Sequence, residues 1–121
     1  MSGIVLAVVD DMFFASKIRA TAEALGVSIS FVSTLPSLLE KARASRPDLV
    51  LVDLHNQKVD NVQLAQLVRE DSELSSVRLL GFFSHVQTEL QKSAIAAGFD
   101  VVIPRSVFAR DLARLLSTAS A

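Results

Sequence analysis

Leu49-Val50-Leu51-Val52-Asp53 is the stretch from which the rest of this chain can be read. Four consecutive apolar residues, two of them β-branched, have the pattern of a short strand buried on both faces, as in the middle of a parallel sheet. Pro47 stops whatever precedes the run, and Asp53 falls where the strand ends and a side chain can meet solvent at the sheet's carboxyl edge. A second run, Ile4-Val5-Leu6-Ala7-Val8-Val9, ends the same way in Asp10-Asp11. If the two strands are neighbours, three acids converge on one crevice.

Outward from these two runs, five strand-like segments begin near residues 4, 27, 48, 77 and 101, each followed by helical periodicity. Strict alternation of this kind signifies a parallel α/β sheet with right-handed crossovers. Phe14, Ile18, Ala22 and Leu25 form the buried stripe of the first helix, and Gly26 offers a left-handed cap. Val27, Ile29 and Phe31 alternate with Ser28 and Ser30, which gives the second strand a polar face and a place at the sheet edge. Ser33 or Thr34 caps the second helix, with Pro36 in its first turn, and Asp60 with Gln63 has capping-box spacing ahead of Leu64, Leu67 and Val68. Leu79, Leu80, Phe82 and Phe83 make the fourth strand, ended by Ser84-His85, and Val86, Leu90, Ala94 and Ala97 make the fourth helix. Val101-Val102-Ile103 is the last strand. Beyond Pro104, the stripe Phe108, Leu112, Leu115 and Leu116 predicts a closing helix.

The bulk properties agree with a single domain over residues 1–121, half of it apolar and 21% charged. A chain of this size buries roughly two thirds of its unfolded surface and needs no covalent staple. No apolar run approaches the ~18 to 20 residues of a membrane span, and no secretory signal pattern opens the chain, so a cytoplasmic location without membrane contact is expected. Zero cysteines remove disulfides, thiolate metal sites and thiol nucleophiles. A formal net charge of −1, with Lys and Arg scattered along the helices, argues against direct nucleic-acid binding.

Val8-Val9-Asp10-Asp11, Asp48 to Leu54, Val59-Asp60, Ser84 and Ala97-Gly98-Phe99-Asp100 occur in the order expected of one family. Over residues 3–117 the chain resembles bacterial response-regulator receiver domains, the family of the single-domain chemotaxis regulator. The resemblance implies an α/β fold, the flavodoxin-like (βα)5 three-layer sandwich with parallel strand order 2-1-3-4-5, which suits the edge position of the second strand. It further implies a stand-alone receiver in two-component phosphorelay signal transduction, a phosphoprotein and not an enzyme, with Asp53 as phosphoacceptor. Three carboxylates within ~5 Å repel by roughly 3 kcal/mol per pair at an effective dielectric near 20, and all-oxygen ligation favours a hard divalent cation, Mg²⁺ first. By resemblance the ion is held by Asp10, Asp11, Asp53 and the backbone carbonyl of His55, while Ser84 contacts the phosphoryl group. The implied partners are a sensor histidine kinase or phosphotransfer protein and a downstream effector, with a homodimer through the fourth and fifth helices left open.

Several positions depart from the family pattern. The lysine and proline expected after the fifth strand are replaced by Ile103-Pro104-Arg105-Ser106, so that Arg105 is the candidate phosphoryl-contacting cation, with a planar fork in place of a point charge. Val102 stands where the switch aromatic is expected, Gln57 where proline is, and Asn61 where glycine is. His85 follows Ser84 where a small residue is usual and is a candidate gate over the pocket. These departures favour an alternative function, a pseudo-receiver that binds a partner without being phosphorylated. Simpler local roles also stand: Asp10-Asp11 as a helix N-terminal charge pair, Ser84 with Gln87 as a capping box, and Arg105 as a surface cation or an ion-pair partner of the acids.

Overall fold

Strands β1 (Ile4–Val8), β2 (Ser28–Phe31), β3 (Leu49–Asp53), β4 (Arg78–Phe83) and β5 (Val101–Pro104) run parallel in the order β2-β1-β3-β4-β5. They alternate with α1 (Met12–Leu25), α2 (Leu35–Ser45), α3 (Asn61–Glu70), α4 (Thr88–Ala97), α5 (Arg105–Arg110) and α6 (Leu112–Ser117). The computed structural model describes residues 3–84 and 88–117. Strand number, order and direction are those of the flavodoxin-like fold expected from the sequence, with β2 at the edge.

The period of two along the strands sorts the core into two layers. Leu6 and Val8 of β1 with Val50 and Val52 of β3 face Leu38, Leu64, Val68 and Ala94 of α2, α3 and α4. Val5, Ala7, Leu49 and Leu51 face the other way, against Phe14, Ile18 and Ala22 of α1, Phe108 of α5, and Leu112 and Leu116 of α6. In that second layer Phe82 stacks on Phe108 at 4.5 Å, and Phe14 meets both rings at 5.2 and 5.7 Å. The rings lock the start of α1 to the start of α5, an arrangement that matters for the site.

Caps close the helices as their sequences suggest. Thr34 Oγ1 accepts the Ser37 N–H and Asp60 Oδ1 that of Gln63, while Gly26 ends α1 at φ 72°. The closing helix differs from the continuous stripe expected: it is divided into α5 and α6 at Asp111, whose backbone leaves the helical region (φ −99°, ψ 12°). The Asp111 carboxylate is held there between Arg110 and Arg114 at 3.1 and 2.9 Å, and aspartate contributes little helix propensity of its own. His85, Val86 and Gln87 lie outside the described residues, and with them the expected gate and the Ser84–Gln87 capping box. Among the described residues no helix is long and apolar enough to cross a membrane.

Arg69 joins α3 to the α4–β5 junction. Its guanidinium donates to the carbonyls of Gly98, Ser75 and Val77 and pairs with Asp100 Oδ2 at 2.6 Å, the same oxygen that accepts the Leu79 N–H. Gly98 sits at φ 125°, and a Cβ there would lie 2.8 Å from Arg69 Cγ. Gly98→Ala therefore combines a backbone conformation that L-residues avoid with a collision at the hub, and is expected to cost about 1–3 kcal/mol in chemical denaturation. An unchanged midpoint would contradict the role given to this junction.

Candidate functional site

Parallel pairing of Val8 with Val52 brings the ends of β1 and β3 to one edge, with Asp10 two residues beyond the first and Asp53 one beyond the second. Asp53 in turn pairs with Phe82 of β4, and Phe83 with Pro104 of β5. Ser84 and Arg105 therefore leave the sheet at the same edge. Ser84 is exposed immediately after β4, and Arg105 opens α5.

The two acids of the first loop have different occupations. Asp11 is the N-cap of α1: its Oδ1 accepts the N–H groups of Phe13 and Phe14 at 2.9 and 3.1 Å. Its Oδ2 accepts from Arg105 Nη2 at 2.7 Å, and this guanidinium holds the Asp11 carboxyl below its ordinary pKa. The Arg105 guanidinium also lies 4.2 Å over the Phe14 ring, so the aromatic cluster below and the carboxylate beside it fix one arrangement. Asp10 Oδ2 accepts the Gln57 N–H at 2.9 Å, tying the first loop to the one after β3. Its Oδ1 is buried without a hydrogen bond among the described residues, and Lys58 Nζ stands 3.8 Å away.

Asp53 is half-buried. Loss of solvent raises its carboxyl above the ordinary value; the His55 N–H on Oδ1 at 2.9 Å and the positive charge of Arg105 oppose the rise, and the charge of Asp10 adds to it. The following loop is organised by Asn56, a buried polar side chain. Its amide donates to Asp53 O at 2.8 Å and to Asn61 Oδ1 at 2.9 Å, and its oxygen accepts the N–H groups of Lys58 and Val59. Asn61 completes the brace by donating to Leu54 O at 2.9 Å.

Asp10, Asp53 and Arg105 thus share one electrostatic neighbourhood, and Asp11 enters it through Arg105. The acids are less tightly gathered than the sequence suggests: among the described residues no three His, Asp or Glu side chains are grouped so as to hold a metal ion. Asp11 is instead committed to the helix terminus and the guanidinium. The oxygen-only donor set and the unsatisfied Oδ1 of Asp10 nevertheless suit a hard cation. Asn56 and Lys58 escaped sequence reasoning. An asparagine in a polar loop just after a strand-end aspartate is a recognisable turn signal, whereas nothing in the sequence marks Lys58 as a neighbour of Asp10.

No protein-family model matches the chain. Its structure superposes on the receiver domain of sensor histidine kinase PA1611 from Pseudomonas aeruginosa, described with magnesium in its active-site cleft, with a TM-score of 0.82 at 18% identity over 98% of each chain. The chemotaxis response regulator CheY4 of Vibrio cholerae matches with a TM-score of 0.82 at 18% identity, over 98% of this chain and 99% of that one. This chain has the receiver-domain fold. Among curated proteins it is 28% identical over 78 residues to response regulator VraR of Staphylococcus saprophyticus, covering 64% of this chain and 36% of that protein. It is 25% identical over 103 residues to an uncharacterized 76.5 kDa protein of Thiocystis violacea, covering 85% of this chain and 15% of that protein. The chain thus spans well under half the length of either curated relative.

Asp11 and Asp53 depart in opposite directions from the unfolded carboxylate, and their pH signatures follow. A lowered pKa means that Asp11 stabilises the fold above its unfolded pKa and that this is lost as pH falls through the folded value. A raised pKa means that the folded state binds the Asp53 proton more tightly, so its contribution to stability falls as pH rises from the unfolded to the folded pKa. Asp11→Asn should lower the melting temperature at pH 7 and Asp53→Asn should raise it, both differences shrinking in acid. Melts at neutral and acid pH that shift both variants in one direction would refute this assignment.

Proposed function

We propose that the chain is a receiver in two-component signalling, accepting a phosphoryl group on Asp53. The observation that carries the reading is Asp53 itself: a half-buried carboxylate at the carboxyl end of the central strand, within the electrostatic reach of Asp10 and Arg105. The receiver-domain fold and the resemblance to a response regulator support it. An Asp53 oxygen would form the new O–P bond while the donor's P–N bond, or P–O bond in an acyl phosphate, breaks and the leaving group departs with its electron pair. The His55 N–H on Oδ1 would hold the carboxylate in one orientation for that attack. Asp10, Asp53 and the carbonyl of His55 would hold Mg²⁺, with Asp11 joining when its guanidinium is released. The ion would neutralise charge on the incoming phosphoryl oxygens. Ser84, exposed at the exit of β4, would donate its hydroxyl to the transferred group. The donor is a sensor histidine kinase or phosphotransfer protein in the cytoplasm, and output is by contact with an effector protein.

A pseudo-receiver is the second reading. It is favoured by the Arg105–Asp11 pair and by Val102, packed against the core where a mobile aromatic would be needed. Incubation with acetyl phosphate and Mg²⁺, followed by intact-mass measurement, separates the two. The receiver reading expects one phosphoryl adduct that is absent from Asp53→Asn. No adduct from acetyl phosphate, together with partner binding indifferent to Asp53→Ala, would establish the pseudo-receiver instead.

A further inference from the structure

We propose that Arg105 sets the cation affinity of the acidic crevice by competing with a divalent ion for Asp11. The inference rests on the reading of the crevice as a magnesium site. Its basis is an asymmetry between the two acids of the first loop. Asp11 has one oxygen on the Phe13 and Phe14 N–H groups and the other on Arg105 Nη2 at 2.7 Å, so an ion approaching that second oxygen meets a guanidinium already bound to it. Among the described residues Asp10 has a buried oxygen without a hydrogen bond, and it pairs with Lys58 at 3.8 Å.

The guanidinium is not a casual surface charge. It projects from the first residue of α5 and lies 4.2 Å over Phe14, whose ring is held by Phe82 and Phe108. A planar, weakly hydrated cation stacked in this way keeps its place better than a flexible ammonium would. It also changes the charge the crevice offers. Asp10, Asp11 and Asp53 supply three negative charges, Lys58 and Arg105 two positive ones, and the balance is −1. Without Arg105 the balance becomes −2 and a carboxylate oxygen is freed.

Calorimetric titration of the full chain with MgCl₂ at pH 7 tests the competition, with the magnesium-dependent rise in melting temperature as a second readout. Arg105→Gln and Arg105→Ala are both expected to bind the ion tighter than the parent by roughly fivefold or more. Arg105→Lys should fall between, because the charge remains while the stacking is lost. Lys58→Ala, which removes the same charge at the longer distance, should change affinity less. Affinity unchanged or weakened in both neutral Arg105 variants would overturn the competition while leaving the parent's magnesium site intact. Equal tightening by Lys58→Ala would also overturn it, in favour of net charge alone. Absence of binding in parent and variants alike would overturn the magnesium reading itself.

Discussion

The pairing of Val8 with Val52 is the constraint on which the rest of the structure depends. It carries the ends of β1 and β3 to one edge, and because successive strand residues point to opposite faces, it cannot slip by a single residue without exchanging the β1 side chains between the two core layers. The acidic crevice is therefore held in place by the hydrophobic core. Val5, Ala7 and Val8 are fully buried, as are Leu51 and Val52, and the carboxylates sit where that burial stops.

Around that edge the chain neutralises much of its own charge. Arg105 reaches Asp11 from α5, Lys58 approaches Asp10 from the loop after β3, and Gln57 ties Asp10 to the same loop. Asn56 and Asn61 brace this loop with side-chain amides, so that its shape depends on hydrogen bonds and needs neither the proline nor the glycine expected at positions 57 and 61. The aromatic cluster of Phe14, Phe82 and Phe108 then links the guanidinium to the packing of α1 and α5. Next to it, Met12 and Phe13 are 77% and 90% exposed, an unusual investment of apolar surface at the mouth of a polar crevice.

The edge position of β2, the caps at Thr34, Asp60 and Gly26, and the placing of Asp10, Asp11 and Asp53 at one sheet edge were legible from alternation, spacing and cap chemistry, and the full strand order from the family resemblance. These are local patterns with strong physical causes. What escaped depends on contacts between distant residues. The Arg69 hub joins segments some thirty residues apart. Above all, the residue types at 11 and 105 admit either a metal ligand with a phosphoryl contact or an ion pair, and only the placement of Arg105 over Phe14 shows which of these the side chains adopt.

The most direct test of the account is a crystal structure of the chain with Mg²⁺ and beryllofluoride. The account predicts beryllofluoride on an Asp53 oxygen, the ion against Asp10 and Asp53, and the Arg105 guanidinium moved off Asp11 Oδ2. An empty Asp53 carboxylate at saturating beryllofluoride, with the Arg105–Asp11 pair undisturbed, would contradict it.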